Sequence, residues 1–244
     1  MNGVVLSLAE AGPGLRLVHL VGFCLLGAVG ARFAVYAALN YRAAIDSQRV
    51  LWEYLTFTGA IATLYGVVGV VDLTLGVTAV RGGIGATLLL VLALATREIH
   101  YVGAVAASER SRAVSLTDPR RALEAGFAGL AVGTVALGGF GGETPALQAT
   151  EAAAAVAFAG YGLAFAGRYL RRVRTPGTML DAVLRHLLPV LVFAALLVGV
   201  GAATLVGASD TVVGALRATV LVMTATALMA ATIEVHGNVR GPSG

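Results

Sequence analysis

The chain has 244 residues, 58% of them hydrophobic and only 12% charged, with a mean hydropathy of +0.86. A soluble domain carries about twice that share of charge, so the composition excludes an ordinary soluble enzyme and implies a membrane as solvent. All 17 basic residues are arginine for a net charge of +4, and Cys24 stands alone, which excludes an intrachain disulfide and a Cys-based metal site.

The first apolar run covers about 15–40. Residues 1–14 lack a basic stretch, so this run is expected to be a retained span and not a cleaved signal. Further runs long enough to cross ~30 Å of hydrocarbon follow at about 51–76, 82–106, 122–141, 148–171, 182–207 and 211–236. The breaks between them are polar or turn-forming: Asn40 to Arg49, Ser108 to Arg121, Gly141 to Pro145, and Thr175-Pro176-Gly177. Seven spans are therefore predicted. Small residues four apart, Gly27 with Ala31, Gly129 with Gly133 and Ala195 with Gly199, suit close helix packing.

Arginine sets the orientation. Arg42, Arg49, Arg110, Arg112, Arg120, Arg121, Arg171, Arg172, Arg174, Arg185 and Arg240 fall on one side, and Arg16, Arg81 and Arg217 on the other. This excess predicts the N-terminus outside and the C-terminus in the cytoplasm of a multi-pass cell-membrane protein. The basic residues sit at span ends, where they meet lipid headgroups, so the pI near 9.6 does not point to nucleic acid.

The third span ends Thr96-Arg97-Glu98-Ile99-His100 and the seventh Thr232-Ile233-Glu234-Val235-His236, an offset of 136 residues. At that offset three of six arginines per window coincide: Arg32 with Arg168, Arg49 with Arg185 and Arg81 with Arg217. Leu51, Leu55 and Phe57 likewise fall on Leu187, Leu191 and Phe193. The expected fold is thus an all-α seven-helix bundle forming one domain over 1–244. Repeat one covers about 15–106, a connecting helix about 122–141, and repeat two about 148–239. One connecting span makes the repeats parallel, related by an axis along the membrane normal.

This three-plus-one-plus-three layout resembles the SWEET and PQ-loop transporters and the microbial rhodopsins. The chain contains no Pro-Gln pair, no lysine and one tryptophan, Trp52. Without lysine no retinal Schiff base can form, so covalent retinal is excluded and no cofactor is expected.

Charges inside a span are costly unless paired and are default candidates for function. Arg32, Tyr36 and Asn40 share one face of the first span. Glu53 and Tyr54 open the second at the same membrane face. With Glu98, His100, Tyr101, Arg168, Glu234 and His236 they form the expected proton or substrate path in the cytoplasmic half. Glu98 is expected to couple protons, with His100 as relay and Arg32 as the charge that releases the proton. Within each repeat Arg32 is expected to bridge Glu98, and Arg168 to bridge Glu234, either as a functional pair or as a lock between helices. The outer half offers Asp72, Arg81, Glu151, Asp210 and Arg217 near its rim. Residues two apart on a helix point about 200° apart, so Glu-x-His on one helix cannot chelate an ion and no metal is expected. His19 is read as a packing residue and His186 as interfacial. No nucleophile elbow, phosphate loop or His-Glu-x-x-His occurs, so catalysis is not expected. Two readings remain: a permease for protons or a small solute, and a non-catalytic receptor or accessory subunit binding a lipid, a carotenoid, a membrane partner or a second copy.

Overall fold

The computed structural model describes residues 12–75, 80–107, 126, 129, 132–134, 136, 144–172 and 179–240. Among them are six long helices: α1 Pro13–Ala43, α2 Asp46–Leu75, α3 Arg81–Ala107, α4 Pro145–Arg172, α5 Met179–Gly199 and α6 Asp210–Arg240. α5 continues as a 3-10 turn, Val200–Val206, which Gly207 stops in the left-handed region (φ +89°) that glycine adopts without strain. All six are long and apolar enough to cross a membrane, the regime in which every backbone amide must be satisfied within its own helix. They match the first three and last three expected spans. The fourth lies largely outside the described residues, as do Glu124 and loop arginines such as Arg110 and Arg174. Gly126, Gly129, Gly133 and Ala136, which are described, are helical.

The helices form a ring in chain order, closed by α1 against α6, with α3 also packed on α5. α3 is the most enclosed: 67% of its apolar window is buried, against 28–44% for the others. Sequential neighbours are antiparallel, but two pairs are not. α3 and α4 run the same way, with Gly82 beside Glu151, Ala93 and Thr96 beside Gly162, and Gly103 beside Tyr169. α1 and α6 do likewise, through Leu15 with Gly214, Gly22 with Leu221 and Asn40 with Val235. α3 therefore ends at one end of the bundle and α4 begins at the other.

The core is a column of Phe33, Leu51, Leu55, Leu89, Leu92, Phe158, Leu187 and Leu191, none with measurable exposure. The outside is apolar too, with Leu17, Phe57, Val67, Val156, Leu196 and Ile233 exposed. In water such a surface would aggregate; in lipid it is the expected face. α1 and α2 pack backbone to backbone, because Gly27 and Gly30 face Gly66 and Gly59, and Gly69 receives the Phe23 ring.

Candidate functional site

The polar residues expected at the Glu-x-His end form two clusters, one on each same-direction seam. On the α1–α6 seam the Tyr36 ring stacks on His236 at 4.3 Å. Arg32 Nε donates to the Tyr36 hydroxyl at 3.3 Å, and its guanidinium lies 5.5 Å from that ring. The buried Asn40 amide donates to the carbonyls of Tyr36 (2.9 Å) and Val235 (3.0 Å), tying α1 to the end of α6. On the α3–α4 seam buried His100 meets Phe165 edge-on at 5.5 Å, and Tyr101 lies against both rings. Arg168 sits 5.3 Å over Phe165, and Arg97 5.9 Å over Tyr101. Both seams thus repeat an arginine–aromatic–histidine stack.

The expected bridges Arg32–Glu98 and Arg168–Glu234 do not form. Arg32 and Arg168 are exposed, and Glu98 instead reaches Arg97 at 3.7 Å. The reason is topological: α2 separates α1 from α3, and α5 separates α4 from α6. Each first helix packs on the third helix of the other triplet, so its arginine meets that helix's histidine stack. Glu234 is half-buried, and Glu53 is exposed on α2, apart from both clusters. Among the described residues no three His, Cys, Asp or Glu side chains gather as metal ligands. His19 packs as expected, with its Nδ1 against the Leu15 carbonyl at 2.9 Å and its ring beside Phe23; His186 is half-buried.

The more enclosed polar site lies at the opposite end, among residues expected only at the rim. Arg81, the first residue of α3, is 6% exposed and holds Asp72 of α2, 3% exposed, at 2.5 Å. The other Asp72 oxygen, Oδ1, is buried without a hydrogen-bond donor among the described residues. Phe23 supplies an aromatic face 5.9 Å from the Arg81 guanidinium. Beside this pair a polar pocket is lined by Tyr65, Arg81, Gly82, Gln148, Glu151 and Arg217, closed by Leu147, Leu197, Val198 and Gly201. Its free volume is about 30 Å³, room for one or two waters.

Each helix contributes for a local reason. The Glu151 carboxylate of α4 lies against Gly82 in the first turn of α3, where unpaired amides and the helix dipole favour an anion. A side chain at position 82 would strike it. The Thr204 hydroxyl of the 3-10 turn is 2.9 Å from Gln148 Oε1 and 2.8 Å from the Gly201 carbonyl, closing the α4–α5 side. Tyr65 is buried among the charges of Arg81, Arg217, Glu151 and Asp72, and His19 on α1 also feels both arginines. Five of the six helices, α2 to α6, thus line one pocket, whose two arginines are a matched pair at the 136-residue offset. That match was the available signal; the depth of the pair was not visible, because a charge at the end of an apolar run reads as a rim residue.

Comparison with protein-family models, with curated proteins and with solved structures finds no match for this chain.

Proposed function

We propose that this protein is a multi-pass permease of the cell membrane, built of two parallel three-helix repeats around a connecting span, with its N-terminus outside. The observation that carries the reading is the enclosed pocket in which Arg81 and Arg217, one from each triplet, converge with Glu151 and Tyr65. Ionisable groups inside a membrane bundle mark solute or proton pathways by default, and the interface between parallel repeats is where a substrate path belongs. The path follows the two seams from this pocket, past the apolar column, to the His100–Tyr101 and Tyr36–His236 clusters.

The repeat is supported by the two same-direction seams and by the arginine–aromatic–histidine stack on each. Matched positions also share their burial: Leu51 with Leu187, Leu55 with Leu191, Ile99 with Val235 and Thr96 with Thr232. The symmetry is loose. Tyr36 falls on position 172 at the common offset, two turns beyond Phe165, so the triplets slide differently along the two seams. If the N-terminus is outside, the Arg81 pocket faces outward. A fluorescent reporter fused after Gly244 should then be cytoplasmic; a periplasmic phosphatase active at that position would invert the orientation.

Glu98 is the proposed coupling carboxylate. It is half-buried within α3, next to Arg97 and two residues before His100. Arg97 takes the releasing role expected of Arg32. Proteoliposomes loaded with a pH-sensitive dye should dissipate an imposed proton gradient faster than protein-free vesicles. Glu98→Gln should return the rate to that of the empty vesicles while leaving the helical circular dichroism unchanged. An unaltered rate in Glu98→Gln would remove Glu98 from the mechanism. No flux in the native protein, together with stoichiometric co-purification of another membrane protein, would favour the accessory-subunit reading.

A further inference from the structure

The two triplets differ in how they are filled. In the first, Phe23 seats in the notch at Gly69 and is wholly buried. At the common offset these positions become Ala159 and Leu205, and Leu205 is 46% exposed. Where the first triplet has an aromatic plug, the second has an apolar groove of about 530 Å³ between α4, α5 and α6, lined by Ala155, Ala159, Ala195, Gly199 and Leu216 among others. That volume is in the range of small-molecule sites.

The groove backs onto the polar pocket. Ala152, Gly199, Val200 and Leu216 line the groove; their chain neighbours Glu151, Val198, Gly201 and Arg217 line the pocket. The wall between them is made of the smallest side chains. A Cβ on Gly199 would lie 3.7 Å from Ala155 Cβ, and one on Gly201 would lie 3.4 Å from Arg217 Nη2. The apolar groove, open to lipid, is therefore separated from the Arg217 guanidinium only by small side chains.

We infer that groove and pocket together form a binding site for a single-chain amphiphile with a small acidic head, a long-chain carboxylic acid. The chain lies along Ala159 and Ala195, and the carboxylate meets Arg217, whose planar fork suits it and whose five N–H donors serve more than one acceptor. The head must be small, because the pocket takes only a water or two; a sugar or phosphoglycerol head does not fit. This deepens the permease reading by naming its substrate class, and it relies on the same pocket.

The test is equilibrium binding of radiolabelled palmitate to the purified full chain in nanodiscs. Hexadecanol serves as the head-group control and octanoate as the chain-length control. Palmitate should bind near one per chain, at least tenfold tighter than either control. Arg217→Gln should remove that advantage over hexadecanol. Ala159→Phe, which restores the plug of the first triplet, should weaken palmitate at least tenfold, and Ala159→Leu serves if the larger ring prevents folding. A diazirine palmitate analogue should label peptides of α4–α6 in the native protein and not those of α1–α2, a readout that needs no variant. Equal binding of palmitate and hexadecanol, or labelling spread evenly over all helices, would mean that the groove holds ordinary bilayer lipid and would overturn the site. Because binding requires no transport, proton flux without palmitate binding sinks the amphiphile site alone, and palmitate binding without flux sinks the permease alone.

Discussion

Asp72→Ala is expected to lower the stability of the protein by about 3–5 kcal/mol, and Arg81→Met by a similar amount, because each leaves the partner's charge buried and unpaired. The pair has the geometry that makes this cost large. It is 2.5 Å apart, with side-chain exposures of 0% for Asp72 and 7% for Arg81, and Tyr65 and Phe23 pack around it. Replacing both, as Asp72→Leu with Arg81→Met, should cost less than either single change, since the double variant buries no charge and keeps similar volume. The measurement is reversible unfolding in mixed micelles, followed by far-ultraviolet circular dichroism. Arg49 and Asp46 provide the comparison: they are 3.1 Å apart, but their side chains are 54% and 90% exposed. Removing that contact should cost no more than about 1 kcal/mol. If the double variant at 72 and 81 is as unstable as the worse single one, the two charges are not compensating each other.

The contrast between these pairs shows what could be read before the fold was known. Span positions were legible because hydrocarbon thickness sets a minimum apolar length, and all six described helices, with α5 counted together with its 3-10 turn, begin and end within five residues of the expected limits. Depth along a helix was partly legible from rise per residue. Direction around a helix was not. Arg32 and Glu98 have similar expected depths, yet α2 stands between their helices, and no periodicity in so uniformly apolar a chain reveals which neighbour a face will meet. The glycines gave a better clue than the charges. Gly27, whose spacing with Ala31 suits close packing, does touch Gly66, while among the described residues no atom lies within 4 Å of where a Cβ on Gly129 or Gly133 would stand. The Arg81 pocket is not legible in the sequence for a further reason. Arginine at a span end ordinarily reaches for headgroups, and only the fold shows that Arg81 turns inward to Asp72.

Gly59→Ala and Gly66→Ala should each destabilise the bundle, whereas Gly160→Ala and Gly167→Ala should not. A Cβ on Gly59 would stand 2.5 Å from the Ala34 amide nitrogen, and one on Gly66 would stand 2.6 Å from both the Gly27 nitrogen and the Phe23 carbonyl oxygen. These neighbours are backbone on a long helix, so no rotamer change can make room; α1 must move away from α2 along its length. Overpacking of this kind costs about 1–3 kcal/mol, less the ~0.5–1 kcal/mol that alanine recovers over glycine within a helix. The seam has little else to draw on, because lipid tails are as apolar as the helices and association in the membrane depends on close van der Waals contact. Gly160 and Gly167 on α4 have nothing within 4 Å among the described residues, so alanine there should add the ~0.5–1 kcal/mol of helix preference without a clash. The same micelle unfolding measurement, run on all four variants, separates the two classes. Equal shifts across the four would mean that α1 and α2 pack no more closely than the rest of the ring, and the contrast between a zipped first triplet and an open second one would fall with it.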